Sequence, residues 1–306
     1  MLELFAQTKS FFTLYPIAFY SCVGLFSLLV GSFLNVVIYR LPIIIERNWI
    51  KEFTTYYQMK FTGKLPGNVA LDQPFNLALP RSSCPHCQHK IRATENIPIV
   101  SFLRQGAKCN KCSGKIANRY PIIEGLTGLI GVWVAMHFGV SYSTGIVLMI
   151  SFLLIAMIAI DIDKMLLPDQ LTLPMLWIGL AASTQHLFVT PSDAIIGAIL
   201  GYGFLWSVYW GFKLLTGKEG MGYGDFKLLA AIGAFVGWQH LLIVILLSSV
   251  VGVVIGLLLP LLNKRKSPNA AVANNAIPFG PFLGLAGWLT ILYGDTILEY
   301  YIVWLV

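Results

Sequence analysis

Long apolar runs separated by short polar connections dominate the hydrophobic pattern of this sequence. Eight runs are long enough, or nearly long enough, to cross a bilayer as helices: roughly 14–39, 121–141, 144–162, 170–190, 193–215, 225–238, 240–262 and 278–303. The sixth run is too short for an upright crossing, and Gly237-Trp238-Gln239 separates it from the seventh. A short or broken helix at membrane depth usually lines a cavity or a site. The pattern predicts an all-α polytopic membrane protein with about eight transmembrane helices.

The composition supports a membrane environment. Charged residues make up 11% of the chain, against about 25% in a typical soluble domain. Hydrophobic residues make up 57%, and the mean hydropathy is +0.73. A soluble fold of this size could not bury so much apolar surface, so lipid must solvate much of it.

Basic residues concentrate in one long segment. Between Arg40 and Arg119 there are 13 Lys and Arg against 4 Asp and Glu, a net charge of +9, whereas the rest of the chain carries −2. A basic loop flanked by membrane spans is what the positive-inside rule predicts, so we expect contact with anionic lipids and no nucleic-acid partner.

The short connections indicate the orientation. With eight spans, the long loop lies on the same side as the other basic connections, which contain Lys164, Lys213, Lys218 and Lys264-Arg265-Lys266. The opposite connections, around 137–144, 186–193 and 237–240, contain no Lys or Arg. The basic side is expected to be cytoplasmic, which places both termini outside.

Four cysteines in the long loop have the spacing of a zinc ribbon. Cys84-Pro-His-Cys87 and Cys109-Asn-Lys-Cys112 are two Cys-x-x-Cys turns separated by 21 residues. Each turn can present two thiolates, and two turns complete a tetrahedron, so the spacing predicts a structural zinc ion; redox thiols and a fortuitous spacing are the alternatives. The predicted domains are a first transmembrane helix at 1–40, a cytoplasmic zinc-binding loop at 41–120 and a seven-helix membrane domain at 121–306.

Two aspartates are expected at the same membrane depth. Asp161 ends the third apolar run, and Asp225, 64 residues later, opens the sixth directly after Gly222-Tyr223-Gly224. Two facing carboxyl groups suit peptide hydrolysis, because they can share a proton and divide the roles of general base and general acid. The glycines allow close approach of a substrate backbone. Gly-x-Gly-Asp alone is a weak motif, since an Asp that caps a helix after a glycine turn is common.

Several further motifs lie between Gly31 and Gly237: Gly31-Ser-Phe-Leu-Asn-Val-Val-Ile-Tyr-Arg-Leu-Pro42, Ser83-Cys-Pro-His-Cys87, Glu95-Asn-Ile-Pro98, Cys109-Asn-Lys-Cys112, Arg119-Tyr-Pro-Ile-Ile-Glu124, Asp161-Ile-Asp163, Leu167-Pro168-Asp169 and Gly220-Met-Gly-Tyr-Gly-Asp-Phe-Lys227. Together these motifs resemble the bacterial type IV prepilin peptidases, a family of bifunctional leader peptidases and N-methyltransferases. One departure is visible, because Leu103-Arg-Gln-Gly-Ala-Lys-Cys109 is two residues longer than the usual family sequence before the second cysteine pair.

The resemblance implies an intramembrane aspartyl protease of the Gly-x-Gly-Asp type in the bacterial inner membrane. Asp161 and Asp225 would be catalytic, with Gly222, Gly224 and Lys227 as candidate substrate-binding residues. The substrates would be prepilins of type IV pili or pseudopilins of type II secretion, cut after a glycine at the cytoplasmic face. The new N-terminal residue would then be methylated from S-adenosylmethionine. Only the resemblance points to Glu124 and the 31–42 segment as candidates for the methyl-donor site.

Three other classes compete with this interpretation. A presenilin-like or archaeal-type intramembrane protease shares the aspartate chemistry but normally lacks a four-cysteine loop. A transporter with a zinc-stabilised loop would be expected to show repeat symmetry. A secretion-system scaffold would leave the paired aspartates unexplained. The sequence leaves open the identity of the substrates and the oligomeric state.

Overall fold

The structure is a computed structural model, and it describes residues 2–61, 74–263 and 277–305. The helices are α1 (Leu2–Leu14), α2 (Pro16–Phe61), α3 (Val100–Arg104), α4 (Arg119–Phe138), α5 (Tyr142–Lys164), α6 (Asp169–Ser183), α7 (Pro191–Thr216), α8 (Tyr223–Asn263) and α9 (Gly280–Leu305). Extended backbone in the described ranges pairs only at two isolated antiparallel bridges. The predicted all-α class is confirmed. The chain forms two compact units, Met1–Thr144 and Gly145–Val306.

Six helices in the described part of the chain are long and apolar enough to cross a membrane. The count of eight crossings is not confirmed, for two reasons. The fourth predicted run is helical only over the 15 residues of α6, which is shorter than a typical span. The sixth and seventh runs lie in one long helical stretch, α8, which is broken at Gly237.

Helix α2 continues well beyond its apolar run. The pattern ends near Arg40, but the helix passes through Pro42 and ends at Phe61. The predicted boundary at residue 40 is therefore not a helix end. Helix α4, which the sequence assigns to the membrane domain, groups with the first unit. The basic segment Lys264-Arg265-Lys266 lies outside the described residues.

Small residues bring α2 and α4 together in the first unit. A Cβ built on Gly31 would lie 2.9 Å from the Glu124 Cα, and one on Gly128 would lie 2.8 Å from the Leu28 side chain. The buried Asn35 amide donates to the carbonyl of Tyr120 at 3.2 Å. Without a hydrophobic driving force in lipid, such close backbone approach and interhelical hydrogen bonds hold helices together.

In the second unit, α8 packs against α7 and α9. Gly197 of α7 faces Gly233 of α8 so closely that a Cβ on either would overlap the other's carbonyl oxygen. A Cβ on Gly201 would lie 2.6 Å from the Leu229 carbonyl oxygen, and one on Gly287 of α9 would lie 2.6 Å from the Ile232 side chain. These contacts surround the first half of α8, whose residues 228–236 are almost fully buried.

Helix α8 is broken at Gly237, where the sequence predicts a break. Its backbone has φ 69° and ψ 177°, a conformation open essentially only to glycine. Asp193 of α7 stabilises the break, because its carboxylate accepts hydrogen bonds from the side chains of Trp238 and Gln239, both at 3.0 Å. The polar side chains at the break therefore have hydrogen-bonding partners within the protein.

Candidate active site and metal centre

The four loop cysteines converge on one point. Their sulfur atoms all lie within 4.8 Å of one another. The Cys84–Cys112 and Cys87–Cys109 sulfur separations are 3.8 and 3.9 Å. Four ligands at the usual Zn–S distance of about 2.3 Å form a tetrahedron with edges of roughly 3.8 Å. The cluster could therefore bind a metal ion with four thiolates, and its geometry fits zinc.

The two cysteine turns have the same backbone form. In the first, the Cys84 amide donates to the carbonyl of His89 and the Gln88 amide donates to the carbonyl of Cys84; in the second, Cys109 pairs in the same way with Gly114 and Ser113. All four hydrogen bonds measure 2.9 Å. Gln88 and Ser113 both have a φ of 56°, so each turn tightens through one left-handed residue.

The second turn favours the thiolate form of its first cysteine. Backbone N–H groups of Cys112 and Lys111 donate to the Cys109 sulfur and lower its pKa to about 6. A thiolate is the form that binds a metal. His86 and His89, the other potential ligands in this region, are not members of the sulfur cluster.

Glu95 connects the two turns. Its carboxylate accepts hydrogen bonds from the Arg92 amide at 2.9 Å, from Nδ2 of Asn110 in the second turn at 2.8 Å, and from Nε2 of His89 beside the first turn at 3.2 Å. The Arg92 and Asn110 hydrogen bonds, followed by His89, lower the pKa of Glu95 to about 2. In the sequence Glu95 stands out only as part of a motif, because a hydrogen bond to a residue 15 positions away, Asn110, has no local signature.

Glu124 joins the loop to α4. Its side chain is buried and accepts a hydrogen bond from the Ile99 amide at 2.8 Å. Ile99 has a φ of 59°, which is rare for a β-branched residue. The buried carboxylate thus holds the chain just before α3 in a strained conformation. The candidacy of Glu124 for the methyl-donor site stays a prediction.

Asp161 lies in the last turn of α5, buried in the second unit. Its side chain accepts a hydrogen bond from the Gly280 amide, the first residue of α9, at 3.1 Å. A Cβ built on Gly280 would lie 2.6 Å from the Asp161 Oδ2 atom. Glycine is therefore required for α9 to begin against this carboxylate. Gly280 was not among the predicted site residues, although the Pro-Phe-Gly-Pro segment 278–281 indicates a chain turn.

Asp225 lies in the first turn of α8 and is also buried. Residue exposure is 5% for Asp161 and 8% for Asp225, and the two carboxyl groups interact electrostatically. The structure thus brings together the two aspartates that the sequence singled out, although 64 residues separate them. A pair of neighbouring buried carboxyl groups that shares one proton is the arrangement that acid–base catalysis by two aspartates needs.

The predicted glycines border the same place. A Cβ on Gly224 would lie 2.8 Å from the Leu167 Cβ, so the start of α8 approaches the 165–168 connection closely. Leu167 also approaches Gly280, at 3.2 Å from its built Cβ. Gly222 precedes the helix, and its carbonyl accepts a hydrogen bond from the Asp225 amide at 3.2 Å. The atoms nearest to a Cβ built on Gly222 are Asp225 Oδ2 at 3.9 Å and the Gly224 nitrogen at 4.0 Å. It is the more open of the two glycines.

Lys227 has a local partner. Its ammonium group donates to both carboxylate oxygens of Asp169, at 2.7 and 2.8 Å. Asp169 is the first residue of α6, and Pro168 occupies the N-cap position before it. The pair joins the starts of α6 and α8.

Two family models match consecutive parts of the chain. The family model described as "Bacterial Peptidase A24 N-terminal domain" matches residues 25–138, and "Type IV leader peptidase family" matches residues 147–257. The first model covers the cysteine turns and the second covers both aspartates.

Full-length relatives are similar throughout. A prepilin leader peptidase/N-methyltransferase from Aeromonas hydrophila is 51% identical over 94% of this chain and 95% of its own length. Proteins of the same description from Pseudomonas aeruginosa and Legionella pneumophila are 48% and 42% identical, over 94% of this chain and 95% and 96% of their own lengths. No solved structure matches the chain. These matches show that the chain belongs to the type IV leader peptidase family.

Proposed function

We propose that this protein cleaves the leader peptide of type IV prepilins or related pseudopilins, with Asp161 and Asp225 as the catalytic pair. The observation that carries the proposal is the pair itself: two buried, interacting carboxyl groups at the ends of α5 and α8, in a chain whose full-length relatives are described as prepilin leader peptidases. The transporter and scaffold alternatives are not favoured by those relatives.

The chemistry follows from one shared proton. The ionised carboxylate takes a proton from a water molecule, which attacks the scissile carbonyl carbon, while the protonated partner donates to the carbonyl oxygen. When the tetrahedral intermediate collapses, the C–N bond breaks and a carboxyl group returns a proton to the leaving amine. The products are a leader with a new C-terminal carboxylate and a pilin with a free N-terminal amine.

Gly222 and Gly224 are proposed to receive the substrate backbone. A peptide cut at membrane level must unwind, and its exposed amide groups then need hydrogen-bonding partners. The open space around Gly222 supports that role. The contact of Lys227 with Asp169 favours a role in joining the starts of α6 and α8 over direct substrate contact.

Zinc and S-adenosylmethionine are the proposed cofactors. Cys84, Cys87, Cys109 and Cys112 would hold zinc with all four positions filled by thiolates, which suits a structural ion. S-adenosylmethionine would supply the methyl group for the new N-terminal amine, as the name of the relatives implies. Glu124 is proposed to anchor the loop through Ile99.

The basic connections support an orientation in the bacterial inner membrane. We propose that the cysteine loop and the active site face the cytoplasm and that both termini are periplasmic. The active site would then lie on the cytoplasmic side of the membrane, where the basic leader of a prepilin remains.

The test is cleavage of a purified prepilin with a basic leader and a Gly-Phe junction. Wild type, Asp161→Asn and Asp225→Asn are compared in detergent with S-adenosylmethionine present, and the products are identified by mass spectrometry. Asp163→Asn, two residues from Asp161, is the matched control. We expect cutting after the glycine by wild type and the control, with loss of about 10³-fold or more in each catalytic variant. Undiminished cutting by either variant would remove that aspartate from the catalytic pair.

A further inference from the structure

The cysteine loop contains a basic concavity that the peptidase reaction does not use. Its volume is about 570 Å³, and four cationic side chains line it: Arg81, Lys90, Arg92 and Lys111. No carboxylate is among the described lining residues. We call this feature the basic basin.

The cations come from two parts of the loop. Arg81 precedes the first cysteine turn and Lys90 and Arg92 follow it; a backbone bridge between Ser83 and Lys90 brings these two strands side by side. Lys111 comes from within the second turn. The positive-inside rule explains how many cations a cytoplasmic loop carries, but it does not explain their convergence on one concavity.

The cationic groups of the basin are accessible to an external ligand. All four residues are exposed, and within the described chain none of them forms an ion pair. Glu95 is the neighbouring acid, but both of its oxygens are already engaged, with the Arg92 amide, His89 and Asn110. Its contacts instead fix two residues of the basin wall, His89 and Arg92. The wall is thus pre-formed while its cations stay free for an external anion.

The charge decides the ligand class. A net positive basin repels a basic leader peptide, and it also repels S-adenosylmethionine, whose sulfonium and ammonium groups outweigh its single carboxylate. Phosphate oxygens are the anionic acceptors that Arg and Lys bind most strongly. Helices α2 and α4, which flank the loop in the chain, are both long and apolar enough to cross a membrane. Lipid headgroups are therefore the phosphates expected at high local concentration. We propose that the basic basin binds the phosphate of an anionic phospholipid.

Lipid binding by the full-length, metal-loaded protein in detergent tests this site. Phosphatidylglycerol and phosphatidylcholine are titrated separately, and bound lipid is counted by native mass spectrometry. The basin variant carries Lys90→Gln, Arg92→Gln and Lys111→Gln. The matched control carries Arg104→Gln, Lys108→Gln and Lys115→Gln, which removes the same charge from the same loop outside the basin. A single Arg81→Gln variant and metal analysis guard against misfolding of the basin variant.

We expect a preference for phosphatidylglycerol that falls about fivefold for each basin cation removed, with little change in the control and no displacement by excess inorganic phosphate. Equal losses in both triple variants would mean diffuse attraction and would overturn the site. So would equal binding of the two lipids, or displacement by free phosphate, which would indicate a soluble ligand. If the basin variant loses its metal, Arg81→Gln decides: unchanged lipid affinity in that variant rejects the proposal.

Discussion

At the scale of single residues, the candidate active site combines two aspartates with a glycine, Gly280, that leaves room for the Asp161 carboxylate. Asp161 and Asp225 attract attention in the sequence because carboxylates are costly at membrane depth. Gly280 does not stand out in the sequence, because its contribution is the absence of a Cβ beside the Asp161 carboxylate. Residue types with rare chemistry could therefore be predicted, whereas a glycine selected by a contact 119 positions away could not.

Replacing Gly280 with alanine should impair catalysis without unfolding the protein. The new methyl group would lie 2.6 Å from the Asp161 Oδ2 atom, so either α9 or the carboxylate must move. A displacement of about 1 Å can cost roughly 10²-fold in rate. Gly211→Ala is the control, because a Cβ at Gly211 meets nothing within 4 Å. Steady-state cleavage rates should fall for Gly280→Ala alone; equal rates in both variants would mean that the contact does not position Asp161.

At the scale of elements, apolar periodicity predicts where helices exist better than where they end. The runs all fall on helices, and the glycine break at 237 was visible in the sequence. The extension of α2 to Phe61 was not, because its residues beyond Pro42 are too polar to form a membrane pattern. The short α6 likewise departs from its 170–190 run, since apolar residues such as Leu187 and Phe188 continue beyond the helix end.

The cysteine turns should release their metal as the pH falls. Each sulfur atom binds a metal only as a thiolate, so protons compete with the metal for all four cysteines. Zinc content after dialysis across pH 4 to 8, measured by atomic absorption, should therefore fall towards the acid end of this range. Full retention at pH 4 would contradict four-thiolate coordination of this kind.

At the scale of the whole molecule, the sequence predicts the type of fold better than the number of membrane crossings. The all-α, multi-pass character follows directly from the apolar helices. The number of crossings does not, because α6 is only 15 residues long and α8 is one stretch with a break. Pairing of the two aspartates required tertiary packing, which no local pattern encodes.

Reporter fusions should establish whether α6 crosses the membrane. Alkaline phosphatase, active only in the periplasm, is fused after Lys164 and after Gln185 on either side of α6. The eight-span topology predicts an inactive first fusion and an active second one, since Lys164 follows the positive-inside rule. Equal activity in both fusions would show that α6 does not cross.

The most direct test of the central claim is a double-mutant cycle on the aspartate pair. The specificity constant kcat/KM for prepilin cleavage is measured for wild type, Asp161→Asn, Asp225→Asn and the double variant, with metal content as the folding control. If the carboxyl groups act as one unit, each single change should cost about as much as both together, as for other catalytic groups that work jointly. Losses that multiply in the double variant would show that the two aspartates act independently, and the shared-proton mechanism would be wrong.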